Sequence, residues 1–191
     1  FISFCTDDKI HRVAYAASFG VDCWEYSKSQ TKKCRELIKL FDGISVREAS
    51  GIALCKKHLG CNAIEVLDPT LLLTCDKYSS ICEGVVPATS KYLAAYVLDM
   101  NDEKRKVIEA IASKERLPIK WFHTDKSCVL SVEEWIASFR DAAFVVTDSF
   151  HGTVFSIIFN HDFYSIVNEN RGASRFYSLL LKFGLMERVI A

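Results

Sequence analysis

The amino-acid sequence predicts an α/β fold in which parallel sheets carry helices on both faces. Two observations predict it: short apolar runs alternate with segments of helical period, and most of the apolar runs end in a charged residue or a histidine. Alternation of strand and helix is typical of parallel sheets. Sheets of this kind place their binding groups at the carboxyl ends of the strands.

The first half of the chain supplies three strands and two helices. The apolar runs predict strands at residues 13–17, 44–46 and 63–67, and the helical periods predict helices at residues 31–41 and 48–59. Gly60 stands where a left-handed cap would end the second helix. The mixed stretch 74–90 is the best candidate for a linker, so we expect one domain at residues 1–84 and another at residues 85–191.

In the second half the alternation is more regular. Strands are predicted at residues 92–98, 119–122, 143–146 and 163–167, and helices at residues 102–116, from 131 onward, at 152–159 and at 174–183. Ser131 and Glu134 have the spacing of a capping box, which marks a helix start. The predicted strand ends therefore bring Asp99, His123 and residues 148–151 toward one edge of a sheet.

Composition and charge exclude several classes of protein. Lys plus Arg equals Asp plus Glu at 24 each, so no net positive charge favours a nucleic-acid partner. The apolar runs are too short to span a bilayer. The eight cysteines form no C-x-x-C pair, and no cluster of metal ligands is visible, so we expect no metal and no cofactor. Reduced structural thiols of a cytoplasmic protein are one interpretation of the cysteines, and a disulfide or a reactive thiol is the other.

The stretch VVTDSFHGTVF at residues 145–155 places four polar or special residues between two apolar runs. A helix predicted to start near Gly152 has unpaired N–H groups and a positive dipole end there, which suit an anion such as phosphate. Gly152 would let a ligand approach the backbone, Ser149 and Thr153 would add hydroxyl donors, and His151 would supply a proton or a hydrogen bond. The alternative is a capped turn with a satisfied, partly buried histidine; spacing alone leaves both open.

Three arginines lie at or after predicted strand ends and are further candidates for binding an anion. Arg47 follows one strand directly, and Arg171 and Arg175 surround the start of the last predicted helix. Guanidinium groups bind phosphates and carboxylates in pairs of hydrogen bonds. The alternative for Arg47 is a salt bridge with Glu48 or Glu36, and for the other two it is a solvated surface.

Several segments together resemble the polysaccharide pyruvyl transferase family. They are YAASFG (15–20), ISVRE (44–48), VLDPTLLL (66–73), TDSFHGT (147–153) and RGASRF (171–176), in that order and with similar spacing. The resemblance implies two Rossmann-like domains in a GT-B-like arrangement. The family usually carries a further segment ahead of YAASFG, so the first domain is expected to be incomplete at its N-terminus and the fragment to be inactive alone.

The resemblance also implies the chemistry. Such an enzyme moves the enolpyruvyl group of phosphoenolpyruvate onto a sugar of a polysaccharide, or of its lipid-linked precursor, and forms a pyruvate ketal. Arg47 and His151 fall on the family's positions at the phosphoenolpyruvate. Many members carry Arg where this chain has Ser149, and we expect Arg171 or Arg175 to replace that cation.

Two other functions remain open from the sequence. One is a nucleotide-sugar glycosyltransferase of the same architecture, and the other is a non-catalytic glycan-binding relative. For the enzyme we expect phosphoenolpyruvate and a sugar or lipid-linked oligosaccharide as partners, no nucleic acid, and a cytoplasmic location with membrane contact only through the acceptor.

Overall fold

The computed structural model describes residues 9–122, 130–167 and 172–190. It confirms the α/β fold with parallel sheets, because every strand pairing in it is parallel. The chain forms two compact units. The first unit is Phe1–Pro69 with Glu169–Gly184, and the second unit is Thr70–Asn168 with Leu185–Ala191.

The first unit contains a three-stranded sheet in the order β1-β2-β3. Its elements are β1 (Val13–Ala17), α1 (Lys28–Leu37), a 3-10 turn (Ile38–Leu40), β2 (Gly43–Val46), α2 (Ala49–Leu54), a π turn (Cys55–Leu59) and β3 (Ile64–Glu65). The core forms where Val46, Cys55 and Leu59 pack with Ala63. Gly60 adopts the left-handed conformation (φ 69°) expected of the residue that ends a helix.

A helix from the end of the chain completes the first unit. This helix, α7 (Ala173–Phe183), follows the last long strand of the second unit in sequence but belongs to the first. Ala49 N donates to Ser178 Oγ at 3.2 Å, and Lys182 Nζ lies 3.2 Å from a Glu65 carboxylate oxygen. The strand–helix alternation of the sequence does not reveal this return, because it shows the order of elements and not which sheet each one covers.

The second unit contains a five-stranded sheet in the order β5-β4-β6-β7-β8. Its elements are α3 (Cys75–Ile81), β4 (Leu93–Tyr96), α4 (Asp102–Glu115), β5 (Ile119–Trp121), α5 (Val132–Arg140), β6 (Phe144–Thr147), α6 (Phe150–Ile158), β7 (Asp162–Ile166) and β8 (Val189–Ile190). Leu93, Val97 and Ile108 are at most 1% exposed at the centre of its core. The short strand β8 had no recognisable pattern in the sequence.

The stretch predicted to be a linker contains a helix. Within the second unit, the ring of Tyr78 on α3 packs edge-on against Phe155 at 4.9 Å, and Arg140 Nη1 donates to the Cys82 carbonyl. The compact units therefore part between residues 69 and 70, before α3. The predicted domain boundary lies fifteen residues later, after the α3 that this packing holds in the second unit.

Side-chain caps decide where three helices begin. The predicted capping box of α5 is present, with Ser131 and Glu134 each bonded to the other's backbone. Ser27 and Gln30 make an equivalent box, so α1 starts three residues before the prediction at residue 31. Ser149 caps α6, which starts at Phe150 instead of the predicted residue 152.

The strand order reverses beside β4, because β5 lies on one side of it and β6 on the other. In open parallel sheets, ligands bind outside the carboxyl ends of the two strands at such a point. Here those two ends are Tyr96 of β4 and Thr147 of β6, which are paired in register. The residues 148–151 therefore lie at the reversal point of the second unit.

Candidate functional site

Asp148 fastens the carboxyl ends of β4 and β6 together. Its carboxylate accepts from Leu98 N at 2.6 Å, from Asp99 N at 3.1 Å and from Lys104 Nζ at 2.6 Å. The Asp148 side chain is only 2% exposed and that of Lys104 is 13% exposed. This carboxylate is consequently a bridge inside the sheet edge, and Lys104 in the first turn of α4 is a cation that sequence reasoning missed.

The hydroxyl groups around the start of α6 are satisfied by the protein itself. Thr147 Oγ1 donates to the Tyr96 carbonyl and accepts from Ser149 N. Ser149 Oγ accepts from Gly152 N at 3.4 Å, and the Thr153 hydroxyl lies 2.6 Å from that of Ser165. Ser149 thus caps the helix, and the hydroxyl of Thr153, which is fully buried, faces the interior instead of a ligand.

Gly152 allows close packing between α6 and β6. A Cβ built on Gly152 would lie 2.2 Å from Thr147 Oγ1 and 2.9 Å from Thr147 Cβ, which no real side chain tolerates. Gly152 is buried within α6 and has a negative φ, so a left-handed backbone is not the reason for a glycine here. The sequence interpretation reserved this bare backbone for a ligand, whereas in the structure Thr147 occupies the space.

His151 differs from its neighbours because its side chain is exposed. Residues 144–150 and 152–156 are all buried, and His151 is the exposed position between them, on the first turn of α6. Its ring packs edge-on to Phe150 at 5.5 Å between centroids. The exposed imidazole therefore differs from the partly buried histidine of the capped-turn interpretation.

Arg47 pairs with Asp68, an acid of the VLDPTLLL segment. Its Nη1 donates to Asp68 Oδ2, and the two side chains are 18% and 3% exposed. The pair joins the carboxyl end of β2 to the segment after β3. In addition, Arg47 N donates to the Ala17 carbonyl of β1. The sequence interpretation considered Glu48 and Glu36 as partners of Arg47, and Asp68 is a partner that the structure adds.

Glu48 holds the segment that follows β1. Its Oε1 accepts from Phe19 N at 2.6 Å, from Gly20 N at 3.1 Å and from Ser18 Oγ at 3.2 Å, while the residue is fully buried. Three hydrogen bonds to one carboxylate oxygen fix residues 18–20 beside the N-terminus of α2. The SVRE segment thus places Arg47 and a rigid acidic anchor side by side at one strand end.

The start of α7 packs close to the Ser18–Gly20 turn within the first unit. Gly172 adopts φ 77°, and a Cβ on Gly20 would lie 3.6 Å from Gly172 Cα. The Arg175 guanidinium folds back over Gly172, so that a Cβ there would meet Arg175 Nε at 2.9 Å. The Ser174 hydroxyl, with that of Ser50, lowers the pKa of the Asp22 carboxyl. Arg171, the other predicted cation, lies outside the described residues, as do His123 and Cys128.

The described residues also bear on metal binding, membrane insertion and disulfide bonding. Residues 9–122, 130–167 and 172–190 contain no group of three or more His, Cys, Asp or Glu side chains that would hold a metal. Over the same ranges no helix combines the length and the apolar character needed to cross a bilayer. The six cysteines described there are free thiols. Burial raises the pKa of the Cys55 thiol to about 12, with a further contribution from Cys61.

Comparison with known proteins identifies the family. No curated protein matches the chain. A solved structure of the wall teichoic acid polymerase TagF is similar over 82% of this chain, at 12% identity and a TM-score of 0.41, and the match covers 45% of the TagF chain. The profile of the family described as "Polysaccharide pyruvyl transferase" matches residues 1–170. The chain therefore belongs to the polysaccharide pyruvyl transferase family.

Proposed function

We propose that the chain is part of an enzyme that transfers the enolpyruvyl group of phosphoenolpyruvate to a sugar hydroxyl pair. The observation that carries this proposal is the family match over residues 1–170, which includes both Arg47 and His151. The exposure of His151 at the reversal point of the second sheet supports it, because a reacting imidazole must reach its substrate.

Phosphoenolpyruvate offers a phosphate and a carboxylate, and both require cationic partners. Arg47, at the end of β2, presents its guanidinium with one nitrogen on Asp68. Guanidinium groups bind phosphates and carboxylates through paired, charge-assisted hydrogen bonds, which makes Arg47 the proposed partner of one of these anionic groups. Many members of the family carry an arginine at the position of Ser149. Of the two arginines expected to replace that cation, Arg175 is the one within the described residues, and we propose it for this role.

The proposed reaction consumes one phosphoenolpyruvate and two hydroxyl groups of one sugar. A proton adds to the methylene carbon, which becomes the methyl group, and the neighbouring carbon becomes electrophilic. One hydroxyl oxygen bonds to that carbon, the C–O bond to phosphate breaks, and the second hydroxyl closes the ketal. The two hydroxyl protons balance the protonated carbon and the departing phosphate.

His151 is proposed to move one of these protons. Its exposed position lets it deliver a proton to the methylene carbon or to the leaving phosphate oxygen. The buried neighbours Phe150 and Gly152 fix the first turn of α6, and Asp148 fixes the strand end below it, so the imidazole is carried on a rigid support. We therefore assign the chemistry to His151 and the support to Asp148.

One observation favours the second candidate, a non-catalytic glycan-binding relative. At the site of the family's second cation, Ser149 is a buried helix cap, and the nearby hydroxyls bond within the protein. If Arg175 does not supply that charge, phosphoenolpyruvate would lose a charge-assisted contact, which is about 1.5–3 kcal/mol of binding.

Phosphate release distinguishes the proposals. A full-length protein that contains this chain is mixed with phosphoenolpyruvate and a galactoside or hexosamine acceptor, with and without a chelator. Acceptor-dependent phosphate release, unchanged by chelator, supports pyruvyl transfer. Turnover of nucleotide sugars alone would support the glycosyltransferase, and binding of glycan without turnover would support the non-catalytic relative.

A pair of histidine variants tests the assignment of His151. His151→Ala should lower turnover by about 10²–10⁴-fold, the usual contribution of general acid–base catalysis. His11→Ala is the matched control, because the His11 side chain is 90% exposed on the first unit and should have little effect. Near-normal turnover in a folded His151→Ala protein would refute the assigned role.

A further inference from the structure

A cavity of about 320 Å³ in the first unit combines aromatic rings with positive charge. Its wall contains the rings of Trp24, Tyr26 and His58 and three cations, Lys28, Lys32 and Arg35, and none of its lining residues is acidic. We call it the aromatic–cationic pocket. Its volume is near the lower end of the roughly 300–1,000 Å³ found for small-molecule sites.

The three cations stand on one face of α1, at positions i, i+4 and i+7. Like charges four residues apart repel, and cations near the start of a helix oppose its dipole. Within the described part of the chain, Lys28 and Lys32 make no ion pair or hydrogen bond. The charges of Lys28 and Lys32 near the start of α1 therefore do not stabilise this helix, and a bound anion would relieve their repulsion.

The guanidinium of Arg35 is held by a hydrogen bond from Nε, which leaves its two terminal nitrogens at the opposite end of the group. Its Nε donates to the His58 carbonyl at 2.6 Å. Among the described residues its two terminal nitrogens have no hydrogen-bond partner. A guanidinium anchored in this way presents two parallel donors, the geometry that binds a phosphate.

The aromatic wall is fixed by its own contacts. Trp24 Nε1 donates to Thr31 Oγ1 at 2.9 Å, and the His58 ring stacks on the Trp24 ring at 4.6 Å with an interplanar angle of 2°. Tyr26 meets Trp24 edge-on at 4.9 Å and is 47% exposed. His58 covers one face of Trp24, and of the three rings only that of Tyr26 belongs to an exposed residue, so Tyr26 is the aromatic contact that we assign to a ligand.

We propose that the aromatic–cationic pocket binds a saccharide that carries a phosphate ester. The cations bind the phosphate, and the apolar C–H face of a sugar ring packs on Tyr26. The small volume favours one phosphorylated sugar over a complete nucleotide sugar. Neither Arg47 nor His151 lines this pocket, and its ligand does not depend on the pyruvyl chemistry proposed for them.

Calorimetric titration of the 191-residue chain tests the ligand class. Galactose 1-phosphate is the probe, and galactose and inorganic phosphate are each titrated for comparison. We expect galactose 1-phosphate to bind at least tenfold more tightly than either. Equal binding of inorganic phosphate would overturn the sugar contact, and tighter binding of uridine diphosphate would overturn the saccharide assignment.

A matched pair of lysine variants tests the location. Lys32→Ala removes a lining cation, and Lys33→Ala removes a neighbouring exposed cation of the same helix that does not line the pocket. We expect the first to weaken binding by about tenfold or more, the effect of losing one charge-assisted hydrogen bond, and the second by less than twofold. Equal effects would overturn the proposed location.

A third variant separates the sugar contact from the charge. Tyr26→Ala should weaken the binding of galactose 1-phosphate and leave the binding of inorganic phosphate unchanged, because only the sugar uses the ring. Thermal melting of each variant confirms that it is folded. A Tyr26→Ala protein that binds galactose 1-phosphate as tightly as the wild type would overturn the role of the aromatic wall.

Discussion

Replacing Asp148 with alanine should destabilise the second unit strongly, because one carboxylate satisfies three donors at the end of the sheet. The substitution leaves the amides of Leu98 and Asp99 without their acceptor, and it leaves Lys104 without its counter-charge. An unsatisfied buried donor costs about 1–3 kcal/mol, and removing one partner of a buried ion pair costs about 3–5 kcal/mol.

The exposure of each partner decides how much of these two costs applies to Asp148→Ala. Lys104 is 13% exposed and sits on a flexible stem, so its ammonium can reach water once the carboxylate is gone. The two amides follow β4 and are held by it, but Leu98 is half-buried and Asp99 is exposed, so water can partly replace their acceptor. We therefore expect Asp148→Ala to lower the free energy of unfolding by about 2–3 kcal/mol, below the range for a fully buried ion pair.

Urea unfolding followed by circular dichroism measures the effect, with Lys104→Ala and the double variant completing a cycle. The coupling between the two residues should be about 1–3 kcal/mol, as is typical of groups in direct contact. His151→Ala is the control, since an exposed side chain should change the unfolding free energy by no more than about 0.5 kcal/mol. A loss of less than 1 kcal/mol in Asp148→Ala would refute the bridging role that the distances assign.

Three further predictions follow from burial. Gly152→Ala should lower the free energy of unfolding by about 1–3 kcal/mol in a urea titration, because the new methyl group collides with Thr147. An unchanged urea midpoint would contradict the close packing of Gly152 against Thr147. Burial lowers the pKa of His161 below 6.5, although its hydrogen bond with Phe139 O opposes the shift. The folded state therefore resists protonation of His161. The stability that neutral His161 contributes is fully present above its unfolded pKa and is lost as the pH falls through 6.5 toward the lower pKa of the folded state. Between pH 7.5 and 5 the wild type should therefore lose more unfolding free energy than His161→Gln, and equal losses would contradict this. Since the pKa of Cys55 is about 12, iodoacetamide at pH 8 should label it only after unfolding; native labelling of this cysteine, read by mass spectrometry, would contradict its burial.

Periodicity and caps predicted the secondary structure well where each helix contained its own start or stop signal. The capping box of Ser131 and Glu134 and the left-handed Gly60 both form as expected, because they depend on residues within one turn. The prediction of α6 was two residues late because Ser149 was assigned to ligand binding and not to capping. The same residue type serves both purposes, and the sequence does not distinguish them.

Contacts between residues distant in the chain were harder to predict. Asp148 bonds to amides fifty residues away, and Arg47 pairs with Asp68 across 21 residues. The sequence placed all of these residues at strand ends, but the pairing depends on which strands are neighbours. Strand order, and with it the reversal beside β4, is a property of the whole sheet that local patterns do not encode.

The polar residues at a strand end divide into two groups by burial, and this division separates the supporting residues of the motif from the residue proposed to react. Asp148 and Ser149 are buried, and their side chains accept hydrogen bonds from backbone amides. His151, in contrast, is exposed between two buried neighbours. A buried carboxylate without such partners would be too costly to keep, so its bonds reveal its structural role. An exposed imidazole has no comparable cost, and the rigid support beneath it is what a reacting group requires.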